Sequence, residues 1–269
     1  MRVFLTSYDV RKIYVASQVG KESIFIKNYE KDRKLQVKIY NDRILVENKE
    51  IPLKDILWLL NSRSVVMVDD KDIYDLTLYS NTGKFYRIVC CGDLDMFNLD
   101  VSGSLLYSKN MPIKDIINKI YDECKDFNKI LVFGSKLGYY SIELSKNANV
   151  LTVEEDKNIL EIMKYNPFSR EFFDNKLPFR IDSIYNIERL GSFDCVIYCP
   201  PPYSNSSRYY YSSPVLKRLK RICKKKLLLD IERPMKGNFS KVIINLRSKL
   251  ENLGYTVKVD EEYGLIISE

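Results

Sequence analysis

The sequence predicts an α/β protein: a mainly parallel, nucleotide-binding sheet in its C-terminal part, preceded by a smaller β-rich domain. Three observations predict it. Residues 129–156 read as strand, glycine turn, helix, strand and acid. Strand and helix patterns then alternate down the chain, which closes on a pair of strands. Before residue 108 that alternation is missing, and short β-branched runs separated by turn signals take its place.

The unit 129–156 is KILVFGSKLGYYSIELSKNANVLTVEED. The apolar run Ile130 to Phe133 is closed by Gly134. Ser135 and Lys136 form a short loop, and Gly138 leads into a helical pattern with Leu137, Tyr140, Ile142 and Leu144 apolar. A second apolar run, Val150 to Val153, ends in Glu154. Glycines at such a turn let the backbone approach a ligand, and a carboxylate closing the second strand accepts two ribose hydroxyls. Gly134, Ser135, Gly138 and Glu154 are therefore candidate cofactor-binding residues of a Rossmann-like sheet. A plain βαβ core without a ligand is the bland reading of the same pattern.

Downstream, Ile159–Met163 marks a helix that Asn166-Pro167 ends, because proline cannot continue a helix and restricts the residue before it. Phe179–Ile181 is a short strand ending in Asp182, and Phe193–Tyr198 a strand running into Cys199-Pro200-Pro201-Pro202-Tyr203. Pro214–Lys225 reads as a helix, Lys226–Asp230 as a strand, and Ser240–Leu253 as a helix stopped by Gly254. Tyr255–Val259 and Gly264–Ser268 form a hairpin-like pair. Ligands of open α/β sheets lie beyond the carboxyl ends of the strands. Asp182 is thus a candidate acceptor for an adenine amino group, the proline loop a wall for a second substrate, and Tyr203 a stacking surface for a flat one. Acids that end strands also serve as solvated or helix-capping residues.

The first 108 residues carry strand patterns at Ile13–Ala16, Ser23–Lys27, Leu35–Tyr40, Arg43–Val46, Val65–Val68, Ile73–Leu78 and Phe85–Val89, with one helix over Pro52–Leu60. They predict a small antiparallel domain, a barrel or a sheet with one helix. A linking helix from Pro112 to Cys124, with Ile113, Ile116, Ile117 and Ile120 on one face, leads into the Lys129 strand. The division is 1–108 for the β-rich domain and 109–269 for the Rossmann-like domain.

The 269 residues carry a net charge of +7 and no histidine. Histidine-based triads, histidine general bases and mixed Cys/His zinc sites are excluded, and no metal is expected. The six cysteines form no C-x-x-C pair and read as small buried hydrophobes. No apolar run approaches the ~20 residues of a membrane span, and the N-terminus is too polar for a secretion signal, so a cytoplasmic location is expected. The basic excess permits nucleic acid as a partner. After the prolines, Ser204 to Tyr211 joins Arg208 to a cluster of three tyrosines, and the next helix sets Lys217, Arg218, Arg221 and Lys225 on its outer face. That combination suits RNA binding. A solvated surface helix fits it equally well.

NPFSREFF at 166–173, VLTVEEDKNIL before it and CPPPYS after it resemble an archaeal family of predicted S-adenosylmethionine-dependent methyltransferases, whose members read much like NPWSRELF and DPPRFS at the first and last of these places. IYDLTLYS and FNLDVSGSLLYS extend the resemblance into the N-terminal half. It implies a class I methyltransferase sheet and S-adenosylmethionine as cofactor; it does not fix the acceptor, for which nucleic acid, RNA first, is the expectation. The departures are as informative. The family's glycine loop resembles LDTCTGLGY. Here Val132 replaces its acid, Lys136 a glycine, Cys199 the aspartate of the proline motif, and Tyr107 a histidine. Catalytic-pocket positions by this resemblance are Cys199, Pro200, Pro201 and Tyr203. A thiol is a poor acceptor for the hydrogen bond that would orient a target nitrogen, and without histidine no base is evident to make Cys199 a nucleophile. Two main functions follow: a methyltransferase acting on RNA or another nucleic acid, or a fold that has lost catalysis, and with it the cofactor, and serves as a nucleic-acid-binding or partner subunit. A third, a polyamine-forming transferase on the same fold, would place acids beside the pocket to hold amines, and the CPPPY loop has none.

Overall fold

The computed structural model describes residues 2–31, 33–91, 96–108, 111–231 and 239–269. The N-terminal part contains β1 (Val3–Leu5), α1 (Ser7–Gln18), β2 (Ser23–Lys27), β3 (Lys34–Ile39), β4 (Arg43–Val46), β5 (Lys49–Pro52), α2 (Leu53–Ile56), β6 (Val66–Val68), β7 (Ile73–Asp75), β8 (Thr77–Tyr79), β9 (Phe85–Val89), β10 (Asn98–Val101) and β11 (Ser104–Leu105). They make three small antiparallel sheets, ordered β2-β3-β4-β5, β1-β6-β7 and β11-β10-β9-β8. The β-rich expectation is met, and the expected helix Pro52–Leu60 is α2 continued by a 3-10 turn over Leu57–Asn61, but two expected strands differ. Ile13–Ala16, read as a strand, lies inside α1. Thr6 and Asp9 form a capping box at its start, and Val10, Ile13 and Ala16 are buried at helical spacing. The expected strand Ile73–Leu78 is two strands, because Leu76 between them is buried and bonds across to Val65 and Ile88.

After α3 (Ile113–Cys124) come β12 (Lys129–Phe133), α4 (Tyr139–Ser145), β13 (Asn149–Glu154), α5 (Lys157–Met163), α6 (Arg170–Asp174), β14 (Phe179–Ile181), β15 (Phe193–Tyr198), α7 (Ser213–Ile222), β16 (Cys223–Asp230), α8 (Phe239–Glu251), β17 (Val257–Asp260) and β18 (Leu265–Ser268). The seven strands form one sheet in the order β14-β13-β12-β15-β16-β18-β17. All pairs are parallel except those of β18. This is the Rossmann-like class I methyltransferase sheet. β16 begins three positions before the expected Lys226, because Cys223 already pairs with Phe193.

Alternation along β12 divides the two layers. Ile130 and Val132 join a cluster with Phe97, Tyr107, Ile116 and Tyr139, so the N-terminal part and the α3–α4 layer share one core. Leu131 and Phe133 face the other way, onto Leu216 and Leu219 of α7 and Leu246 of α8. Val132 is 0% exposed. The acid that the resembling family carries there would be buried in an apolar layer. Five of the six cysteines are buried and Cys91 is half-buried. Among the described residues no helix is long and apolar enough to cross a membrane.

Gly134 is held for backbone reasons. It adopts φ +88°, and a Cβ there would lie 2.2 Å from the carbonyl oxygen of Cys199. Gly103, at φ +91°, has open space where a Cβ would point. Gly103→Ala is expected to cost about 1–2 kcal/mol of backbone strain, and Gly134→Ala a further ~1–3 kcal/mol from the collision. Paired urea melts check this, with equal losses for the two variants as the contrary result.

Candidate functional site

A cleft of about 580 Å³ opens beyond the carboxyl ends of β12, β13 and β15. Gly134, Lys136, Glu154 and Cys199 lie at its base. The turn after β10 and the segment 200–210 form opposite walls. The reversal of strand order between β12 and β15 places a crevice there. Two backbone bonds fix its floor: the Gly134 N–H donates to the Val153 carbonyl, and the Cys199 N–H to the Phe133 carbonyl, each at 2.8 Å.

Glu154 occupies one end. Its Oε2 accepts from the Ser135 N–H and the Ser135 hydroxyl, both at 2.8 Å, and its Oε1 accepts from the Asp156 N–H at 3.0 Å. Burial pushes its carboxyl above the ordinary glutamate value, against the pull of those three bonds. Ser135 and Glu154, singled out separately from the sequence, are thus direct partners.

Lys136 occupies the other end. It takes φ +49°, the left-handed region that disfavours a side chain, and its side chain turns inward. The ammonium lies 2.6 Å from Asp230 Oδ2 at the end of β16, with residue exposures of 4% and 2%. The Tyr140 hydroxyl donates to the same oxygen at 2.6 Å. The ammonium also sits 4.6 Å from the Tyr107 ring centroid and 5.6 Å from that of Tyr140, a cation–π arrangement. Tyr107 is fixed in turn by Asn98, whose side chain donates to the Tyr107 carbonyl at 2.8 Å and accepts from its N–H at 3.1 Å. Asp230 and Tyr140 are site residues that sequence reading passed over. Asp230 carried the same signal as Glu154 and Asp182, an acid closing a parallel strand.

The Asn-Pro segment supports the loop from behind. Asn166 Nδ2 donates to the hydroxyls of Tyr139 (2.8 Å) and Ser169 (2.6 Å), Ser169 donates to the Leu137 carbonyl (2.7 Å), and Tyr139 donates to the Phe97 carbonyl (2.8 Å). Gly138, at φ +77°, starts α4 against Met163 and Phe172.

Asp182 does not line the cleft. Its Oδ1 accepts from the Ser183 N–H and from Asn186 Nδ2, each at 2.8 Å, and the Asn186 bond leads in holding its carboxyl below the usual range. Cys199, Pro200, Pro201 and Tyr203 all line it, with the Cys199 residue 6% exposed. The loop is braced by Tyr211, which donates to the Pro201 carbonyl at 2.7 Å, and by Ser207, which donates to that of Pro202 at 2.6 Å. The basic stripe of α7 points away from the cleft. α7 starts beside the 200–212 segment and ends where β16 begins, at the opposite edge of the sheet. Arg218 and Arg221 both donate to Glu188, at 3.1 and 2.7 Å. The Lys225 ammonium lies 6.0 Å from the Phe127 ring, just ahead of β12. Lys217 is exposed on the same helix, and Arg208 alone of the five is near the cleft.

The sheet order, the cleft at its switch point and the β-rich N-terminal part define a class I nucleotide-binding fold. No protein-family model matches the chain. It is 33% identical over 118 residues to an uncharacterized protein of Methanocaldococcus jannaschii, covering 42% of this chain and 41% of that relative, so the match spans about two fifths of the relative's length. The structure is similar to the spermidine synthase of Thermotoga maritima, with a TM-score of 0.53 at 12% identity over 71% of this chain and 70% of that one. It is also similar to a spermidine synthase in complex with the transition-state analogue AdoDATO, with a TM-score of 0.52 at 12% identity over 71% of each chain. At this identity the likeness establishes the fold.

The cleft fits the implied cofactor at one end only. Around Glu154 it has the carboxylate a ribose needs. At the switch point the Lys136 side chain runs from the cleft base into the protein, and Asp230, buried beneath the cleft, accepts from Lys136 and Tyr140. The Lys136 end thus offers a cofactor cation no carboxylate that is free of a counter-ion.

Lys136→Met leaves Asp230 buried without its counter-ion and is expected to cost about 3–5 kcal/mol. Lys136→Met combined with Asp230→Asn is expected to recover part of that loss. Urea denaturation of the two variants reads it, and equal stability of single and double variants would contradict a coupled pair. Glu154 yields a pH test. Its folded carboxyl titrates above its unfolded one, so the native state binds more protons in that interval and stability falls as pH rises through it. Glu154→Gln lacks this loss and is expected to gain on the wild type as pH climbs above 4.5, the ordinary glutamate value. Melting curves across that range check the sign.

Proposed function

We propose that this chain is a methyltransferase-fold protein that works as a nucleic-acid-binding subunit and does not transfer methyl groups. The observation that carries this reading is the inward Lys136, buried and paired with Asp230 at 2.6 Å where the resembling family has a glycine. Turning that side chain out would break a buried ion pair, at about 3–5 kcal/mol, before any cofactor contact is made. That penalty alone lowers affinity by a factor of about 10² to several 10³. Val132, buried in the apolar layer, supplies no acid to the loop, and Cys199 supplies no carboxylate at the proline motif.

A second reading, an active S-adenosylmethionine-dependent methyltransferase with a nucleic-acid acceptor, is favoured by one observation, the cleft with Glu154 at its base. Calorimetry separates the two. The wild type is expected to give no heat with S-adenosylmethionine at millimolar concentration. Lys136→Gly, which removes the paired side chain and suits the left-handed backbone, is expected to give a measurable one. Wild-type binding as tight as that of the glycine variant would reverse the order of the two readings.

A further inference from the structure

Beside the cleft lies a second groove of about 500 Å³, between the 203–212 segment and α8. Its charged lining is Arg208, Lys241 and Lys249, with no acid among the described residues that line it, and Tyr203 and Tyr211 supply aromatic surface. Arg208 and Lys241 are exposed. Lys249 donates to the Tyr211 carbonyl at 2.9 Å, which fixes its ammonium at the groove and leaves two of its three donors. Tyr203 lines both concavities. Its residue is 52% exposed, and its ring meets that of Tyr211 edge-on at 5.2 Å and 76°.

The two concavities differ in charge. The cleft carries Glu154, Glu155 and Asp156 against Lys84 and Lys136, the latter paired with Asp230, so its balance is acidic and disfavours a phosphate while accepting hydroxyl and amino donors. The groove carries three cations and attracts phosphate. A ligand matching both has a polyanionic backbone and neutral flat groups rich in donors, and the ring between them is suited to a stacked base. We infer that the groove holds the phosphates of a single-stranded nucleic acid, with one base on Tyr203 at the mouth of the cleft. This rests on the binding role proposed above and places it on Arg208, Lys241, Lys249 and Tyr203 in place of the α7 stripe, whose Arg218 and Arg221 are paired with Glu188.

Fluorescence anisotropy with a labelled oligouridine, and with the oligothymidine of equal length, tests it. The wild type is expected to bind at least one of them with a log–log salt slope of about −2, for three phosphate contacts on a single strand. The triple variant Arg208→Gln, Lys241→Gln, Lys249→Gln is expected to lose most of that slope and at least tenfold in affinity at low salt. Tyr203→Ala is expected to lose about tenfold with the slope unchanged, since stacking carries no counter-ion release. Lys217→Gln with Lys224→Gln, exposed on the far face, should bind as the wild type does. Melting curves confirm that each variant is folded. No binding of either strand at about 100 µM protein and ~50 mM salt overturns the proposal, as does a groove triple that binds with wild-type affinity and slope. Cofactor heat in the calorimetry with strand binding intact would remove the preceding reading and leave this one. Silent calorimetry with no strand binding would remove this inference and the nucleic-acid-binding part of the preceding reading, leaving only its loss of methyl transfer.

Discussion

The buried pair between Lys136 and Asp230 is the interaction on which the site depends. Taking an ammonium and a carboxylate out of water costs several kcal/mol per ion, recovered only with good geometry and further partners. Both conditions hold. Asp230 Oδ2 has donors in Lys136 and Tyr140, and the ammonium faces the rings of Tyr107 and Tyr140. The arrangement draws on three separate pieces of chain: the loop after β12, the end of β16, and Tyr107 from the segment that follows β11. Asn98 on β10 holds the Tyr107 backbone, so the N-terminal part contributes to the floor of the crevice as well as to its wall. A left-handed lysine is strained on its own. Here the pair at its tip offsets that strain, and the side chain cannot leave without exposing a second buried charge.

Much of this fold was legible because its signals are local. The run Ile130–Phe133, the glycine turn and the run Val150–Val153 alternate as parallel strands must, and the proline after Asn166 stops a helix where the structure stops one. α1 was missed because its β-branched residues imitate a strand over Ile13–Ala16. The decisive features, the Thr6–Asp9 capping box and burial at every third position, lie across a longer window. In the site, the identity of the cleft residues could be read but their pairings could not. Glu154 with Ser135 spans 19 positions, Lys136 with Asp230 spans 94, and Tyr140 with Asp230 spans 90. Contacts at such separations are set by sheet order, which no local pattern contains. The basic helix shows the opposite hazard. Its cations Lys217, Arg218, Lys220 and Arg221 form a run in sequence that Lys224 and Lys225 continue into β16, yet two of them share one glutamate and the run ends where β16 begins, away from the cleft.

Motif residues here also have reasons that need no cofactor. Gly134 is demanded by the Cys199 carbonyl, Gly138 by Met163 and Phe172 at the head of α4, and Asn166 by hydroxyls that tie α4 to the loop and to Phe97. Glu154 closes the loop by accepting from Ser135 twice. These residues hold the frame of the sheet's upper edge together. The positions that differ from the resembling family, Val132, Lys136 and Cys199, are buried with them and pack into that frame: Val132 into the apolar layer, Lys136 onto Asp230, and Cys199 over Gly134. A fold can therefore keep the glycines and the ribose-side acid while a buried ion pair takes up the switch point beneath its cleft. The presence of such motifs bears on architecture more than on activity, and the side chain at position 136 decides between the two.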